Sequence, residues 1–305
     1  MNSSLRKIIP LAGLVFVLGL SPVCAQTPGP ANKAPAASRP PETTPATLPG
    51  AETQVFRALA PEPLRVHVFK PKNWKAGDRR PAFVWFFGGG WTTGTPANAA
   101  GWAKWAAGEG MVGFAPDYRT KGRFGTSPLE SVADSRAALH WIEEHAAELG
   151  IDPQRIVVGG SSAGGHVALW TAITHSPPGS VAAEAPKFKP AALILTSAVS
   201  DTSQATGYTP QRFGENTDAL SPVHQLDAKM PPMLVFHGDA DTTVPQRESF
   251  ALRDKLLAAG NGCEFVNVPG GSHNFSGDLP EWREKLRLMF GEFLTKQKLL
   301  PVAGP

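Results

Sequence analysis

Cysteine, net charge and long apolar runs are all scarce in this chain, and each scarcity excludes something. Only Cys24 and Cys263 occur in 305 residues. Cys24 falls inside an N-terminal stretch that reads as a cleavable leader, so the mature chain keeps Cys263 alone and no intramolecular disulfide is available. Stability must then come from a packed core, which a 42% hydrophobic content can supply at this length. The formal charge is +3, and it falls to +1 when Arg6 and Lys7 leave with the leader. A nearly neutral chain is not built for electrostatic capture of nucleic acid or anionic membrane. The apolar run at residues 8–20 is shorter than the roughly 20 residues that cross a bilayer. Neither an internal repeat nor a second low-complexity boundary interrupts the remainder.

What is there begins with that leader. Arg6 and Lys7 precede the apolar run, and Val23-Cys24-Ala25 suits cleavage before Gln26, so residues 1–25 read as a signal peptide and the mature protein as secreted or periplasmic. Bulky Val23 argues against lipid attachment at Cys24. Residues 26–50 are rich in Pro, Ala and Thr with almost no large apolar side chains, so they cannot repay the entropy of ordering. The expected organisation is a disordered linker over 26–52, one folded domain over 53–298 and a short tail over 299–305.

Within the domain, β-rich runs alternate with helical patterns. Strands are predicted at 55–59, 64–69, 82–87, 111–115, 155–158, 191–196, 233–237 and 264–268, and from residue 82 onward they are almost wholly apolar, as parallel strands buried on both faces should be. Helices are predicted at 97–109, 127–149, 163–174, 246–259 and 279–296. The second has Ser127 as N-cap, Pro128 at the first helical position and Glu130 closing a capping box. Such alternation implies an α/β fold with a doubly wound, mostly parallel sheet, in which ligands sit at the carboxyl ends of the strands.

Those ends carry the chemistry. Gly160-Ser161-Ser162-Ala163-Gly164 follows a strand and opens a helix, the setting of a nucleophile elbow. An elbow crowds the positions two before and two after its serine. Ser162 has Gly160 and Gly164 there, whereas Ser161 would have Gly159 and Ala163, so the register selects Ser162. The stretch has no G-x-G-x-x-G and no P-loop lysine, which leaves a phosphate cradle unsupported. A serine needs a base, and the base needs an acid. Leu234-Val235-Phe236-His237-Gly238-Asp239-Ala240-Asp241 is a buried strand ending in a polar loop, and its spacing to Val244-Pro245 points to Asp241, with Asp239 as a turn residue. His273, in Gly270-Gly271-Ser272-His273 after the last strand, completes the order Ser, Asp, His. His166, adjacent to the elbow, reads as a scaffold histidine. The bare backbone of Phe87-Gly88-Gly89-Gly90-Trp91 can offer the N–H groups of Gly89 and Gly90, with that of Ala163, to a developing oxyanion.

Together these motifs resemble the α/β-hydrolase fold, in the esterase branch related to hormone-sensitive lipase and bacterial acetyl esterases, over about residues 55–298. Pro116-Asp117-Tyr118-Arg119, the run Leu149-Gly150-Ile151-Asp152-Pro153 and Leu220-Ser221-Pro222-Val223 add to the likeness. The resemblance implies a Ser162, Asp241, His273 triad, oxyanion donors at Gly89, Gly90 and Ala163, no cofactor or metal, and a small-molecule or polysaccharide-linked ester as partner, acetyl or feruloyl esters among them. Two departures stand out: Phe87 occupies the place of the family's usual histidine before the glycines, and no N-terminal cap pattern is present, leaving 200–220 as the remaining lid candidate. A prolyl-oligopeptidase-like peptidase and a non-catalytic binding protein of the same fold are the rival readings. The first lacks room for a propeller, and the second is signalled by a broken triad, which this sequence does not have.

Overall fold

Eight strands form one sheet in the order β1-β2-β4-β3-β5-β6-β7-β8: β1 (Glu52–Arg57), β2 (Leu64–Phe69), β3 (Arg80–Phe86), β4 (Val112–Pro116), β5 (Ile151–Ser161), β6 (Ala192–Thr196), β7 (Met233–Gly238) and β8 (Cys263–Val268). β1 pairs with β2 and β2 with β4 in antiparallel fashion, and every other pairing is parallel. The computed structural model describes residues 43–177 and 186–300, which belong to a single unit, residues 41–305. The expected signal peptide and residues 26–42 of the expected linker lie outside the described residues, as do 301–305.

The central strands are apolar because both faces are covered. β4, β6 and β7 are buried at every position, and β3 at all but Arg80. On one face Trp85 of β3 meets Trp102 of the helix Ala100–Gly108 and Phe290 of the helix Pro280–Lys296, at ring separations of 5.3 and 5.8 Å. Those contacts tie the last helix to the middle of the sheet and contribute beyond plain area burial.

The predicted elements all occur, with three corrections. Thr44 and Leu48 are buried and β1 begins at Glu52, so the ordered domain reaches into the expected linker. Thr44 was unreadable because its partners, Asp117 and Arg123, are distant in sequence. The helix predicted over 127–149 breaks at His145, whose ring donates back to the Trp141 carbonyl at 2.8 Å; Pro128–Glu144 ends there and one further turn, Ala146–Leu149, precedes β5. Leu299, assigned to the tail, is buried in the core.

The register brings the functional segments together. Parallel pairing sets Phe86 of β3 beside Gly160 of β5, and Ser161 of β5 beside Thr196 of β6. The carboxyl ends of β3, β5, β7 and β8 therefore release the glycine loop, the elbow, the acid loop and the histidine loop.

Candidate active site

Ser162 sits at the sharp turn between β5 and the helix Ala163–Ala172, with φ 55° and ψ −122°. A side-chain-bearing residue there carries strain of roughly 1–3 kcal/mol, which the surrounding packing must hold. The two flanking glycines explain how the turn closes. A Cβ on Gly160 would strike the backbone of Gly164, and one on Gly164 would strike the carbonyls of Phe86 and Phe87. The neighbouring Ser161 turns away, its hydroxyl paired with that of Thr196 at 2.6 Å. The structure thus places Ser162 at the turn and Ser161 away from it. His166 is also where expected: fully buried, it donates to the Leu220 carbonyl at 2.8 Å, and burial lowers its pKa to about 4.

Three side chains far apart in sequence form one hydrogen-bonded chain. Ser162 Oγ lies 2.9 Å from His273 Nε2, and His273 Nδ1 lies 2.8 Å from Asp241 Oδ2. His273 retains 16% side-chain exposure, while the Asp241 carboxylate has none. Burial alone would raise the Asp241 pKa, yet hydrogen bonds from His237 and His273 overcome it and hold the group well below the ordinary carboxylate range. The Thr243 and Val244 amides also donate to its Oδ1 at 2.8 and 2.9 Å. Asp239, read as a turn residue, accepts from the Gly270 amide at 2.7 Å and from the Asn267 side chain at 3.1 Å, which fastens the acid loop to the loop that carries His273.

His237 was missed as a participant. Its Nε2 is 3.1 Å from Asp241 Oδ2 and 2.9 Å from the Val244 carbonyl, and its Nδ1 is 2.7 Å from Ser249 Oγ. Two acceptors at Nε2 place a proton there. The carboxylate oxygen that faces His273 is consequently gripped from its other side by a wholly buried ring. The sequence offered one signal, the four-residue interval between His237 and Asp241, but the strand continues to Gly238 and only the following loop folds the interval back.

The glycine loop is held from below by the Pro116-Asp117-Tyr118-Arg119 stretch. The Tyr118 hydroxyl donates to the Phe87 carbonyl at 2.7 Å, and the two rings stack at 4.1 Å with an 8° interplanar angle. This pairing fills the place where the resemblance led one to expect a supporting histidine. Gly89 and Gly90 adopt φ of 132° and 60°, and among the described residues neither amide, nor that of Ala163 at the first helical position, has a protein acceptor. N–H groups left unpaired at a cleft are a ready oxyanion site.

Over Ser162 and His273 opens a cleft of about 600 Å³. The 200–220 segment, the expected lid candidate, contributes Tyr208 and Arg212 to its wall. Glu248 fixes the start of that segment: its Oε2 accepts from the Ser200 and Asp201 amides at 3.0 and 3.2 Å, and burial raises its pKa to about 8. Among the described residues no group of three or more His, Cys, Asp or Glu side chains is placed to hold a metal ion.

Comparison with known proteins agrees with this architecture. Residues 66–256 match the BD-FAE family. The chain is 27% identical to Esterase LipQ of Mycobacterium tuberculosis over 65% of its own length and 51% of that protein's, and 36% identical to Carboxylesterase NlhH of the same organism over 42% and 39%. It thus spans about half the length of LipQ and less of NlhH. Among solved structures, propionate-bound Est2 of Thermogutta terrifontis, a thermophilic esterase, superposes with a TM-score of 0.76 at 37% identity, covering 84% of this chain and 97% of that one. The same esterase phosphorylated by paraoxon gives 0.74 at 37% identity, over 83% and 96%. With its sheet order, its strained serine turn and these likenesses taken together, the chain belongs to the BD-FAE family, within the hormone-sensitive-lipase-like esterase branch of the α/β-hydrolase fold.

Proposed function

We propose that the protein is a serine carboxylic-ester hydrolase working through an acyl-enzyme. The observation that carries this reading is the continuous chain Ser162 Oγ to His273 to Asp241 at a strained elbow. His273 Nε2 takes the Ser162 proton as Oγ attacks the ester carbonyl, and the amides of Gly89, Gly90 and Ala163 receive the developing oxyanion. The imidazolium, steadied by the Asp241 carboxylate, then hands its proton to the departing alcohol oxygen. Water enters, gives a proton to His273 and attacks the acyl carbon. As the second tetrahedral intermediate collapses, the acid leaves and Ser162 recovers its proton. That Est2 has been solved with propionate bound, with butyrate bound and phosphorylated by paraoxon supports this reading of a related cleft.

The substrates we propose are short-chain acyl esters, acetyl or feruloyl groups carried on polysaccharide among them, met by an exported enzyme. Replacement Ser162→Ala is expected to lower kcat on p-nitrophenyl acetate by at least about a thousandfold while the protein stays folded; retention of most of the turnover refutes the assignment. Release of acetate and ferulate from plant xylan, set against short synthetic esters, tests the substrate class, and activity confined to long acyl chains overturns it.

A further inference from the structure

A second cleft, of about 730 Å³, adjoins the one over Ser162 and shares Gly90 and Arg212 with it. None of its lining residues is a carboxylate, Lys121 and Arg212 contribute two cations, and the Ser127 hydroxyl on its rim is already paired with Glu130. Lys121 lies on it with no hydrogen-bond or ion-pair partner for its ammonium among the described residues, and Arg212 spends one N–H on the Gly90 carbonyl at 2.9 Å. Two further polar atoms of the lining residues, Trp91 Nε1 and Thr126 Oγ1, are buried without a partner. Those two atoms are enclosed by protein; what faces the cavity is a pair of exposed cations, which calls for a negatively charged occupant.

The wall that carries Lys121 is held in place. The turn Lys121–Phe124 docks through two backbone bonds, from the Lys121 amide to the Trp91 carbonyl at 2.8 Å and from the Gly122 amide to the Thr92 carbonyl at 2.9 Å. Below it Arg123 is buried against Asp117, with bonds of 2.6 and 2.9 Å, and reaches Glu62 at 3.2 Å. A fork-on-carboxylate pair of this kind fixes geometry as well as charge. Lys121 therefore stands on a rigid ledge, while Arg212 reaches over from the 200–220 segment.

We propose that this second cleft is a subsite for a carboxylate carried by the ester substrate, so that the enzyme selects acidic esters, such as acylated saccharides bearing uronic acids, over neutral ones. The inference rests on the serine-hydrolase reading of the adjoining cleft. A carboxylate bound there draws on the two cations that line the cleft, Lys121 and Arg212, while the scissile ester occupies the adjoining Ser162 cleft, which shares Gly90 and Arg212. The carboxylate could sit on the alcohol or on the acyl side of the ester, and the assay separates the two.

The full-length protein is assayed on matched ester pairs: 4-acetoxybenzoate against its methyl ester for the alcohol side, and mono-4-nitrophenyl glutarate against 4-nitrophenyl butyrate for the acyl side. The quantity read is the ratio of kcat/KM for the charged member to that for the neutral one, in which any loss of folded enzyme cancels. In at least one pair Lys121→Gln is expected to lower the ratio roughly two- to fivefold, the range of a solvent-facing charge pair. Lys121→Glu lowers it further, and added salt lowers it in the parent protein. The pair that responds identifies the side of the ester. If neither ratio moves in Lys121→Gln and Lys121→Glu, the subsite is refuted. Turnover of every ester surviving Ser162→Ala sinks the hydrolase reading instead, whatever the ratios do.

Discussion

Glu248 offers the sharpest quantitative test of the arrangement. Only 2% exposed, it has a pKa of about 8 against an ordinary 4.5, chiefly through burial, with Asp201 adding repulsion and the Ser200 and Asp201 amides and Arg247 opposing the rise. Between those two pH values the unfolded chain has lost this proton and the folded protein keeps it. The folded state then binds more protons, so stability falls as pH rises: the contribution is fully present below 4.5 and is lost as pH climbs through about 8. At about 1.36 kcal/mol per unit of pKa difference, the whole effect approaches 5 kcal/mol, of which about 4 falls between pH 5 and 8.5. Glu248→Gln keeps the oxygen that accepts from Ser200 and Asp201 and cannot ionise. The amide it introduces replaces an Oε1 that already lacks a partner. Denaturant unfolding of both proteins across that pH range should show the variant gaining on the parent by about 4 kcal/mol, or roughly 10 °C in Tm. Two stability curves that run parallel with pH would falsify the claim that this carboxyl is held neutral beneath the 200–220 segment.

Further tests address the elbow and the acid. His237→Phe removes a donor to the charged Asp241 carboxylate, an interaction worth about 1.5–3 kcal/mol. A drop of about ten- to a hundredfold in kcat with KM nearly constant is expected on p-nitrophenyl acetate; a change under twofold in folded protein shows that His273 keeps its orientation without it. Gly164→Ala, which drives a Cβ into the Phe86 and Phe87 carbonyls, should destabilise by several kcal/mol, whereas Gly291→Ala in the last helix meets nothing within 4 Å and should stabilise by roughly 0.5–1 kcal/mol. Equal effects in chemical denaturation would remove the steric explanation for the elbow glycines.

Much of this protein was legible before any coordinates. The apolar runs at 82–87 and 233–236 read as central strands because burial on both faces leaves no polar position to confuse the pattern, and β3 and β7 lie there. Ser162 was separable from Ser161 because steric crowding two residues away leaves a glycine signature in the local sequence. Spacing and chain order single out Asp241 and His273, and the structure places both on the hydrogen-bonded chain from Ser162. The helix break at His145 was less accessible, since it depends on how one side chain meets the preceding turn rather than on periodicity.

What the sequence by itself determined is whatever is local: strand and helix period, the capping box at Ser127, the glycines that permit a strained serine. What only the tertiary structure decided is whatever joins distant segments through packing. Thr44 belongs to the domain because Asp117 and Arg123 are there to meet it. Phe87 is braced because Tyr118 stacks on it and bonds its carbonyl. His237 becomes a partner of Asp241 because the loop after β7 turns back on the strand, and Lys121 and Arg212 line one cleft because the fold brings their segments beside the Ser162 site. Local rules act over one turn or one pleat, whereas these contacts span tens of residues and exist only when the whole sheet is in register.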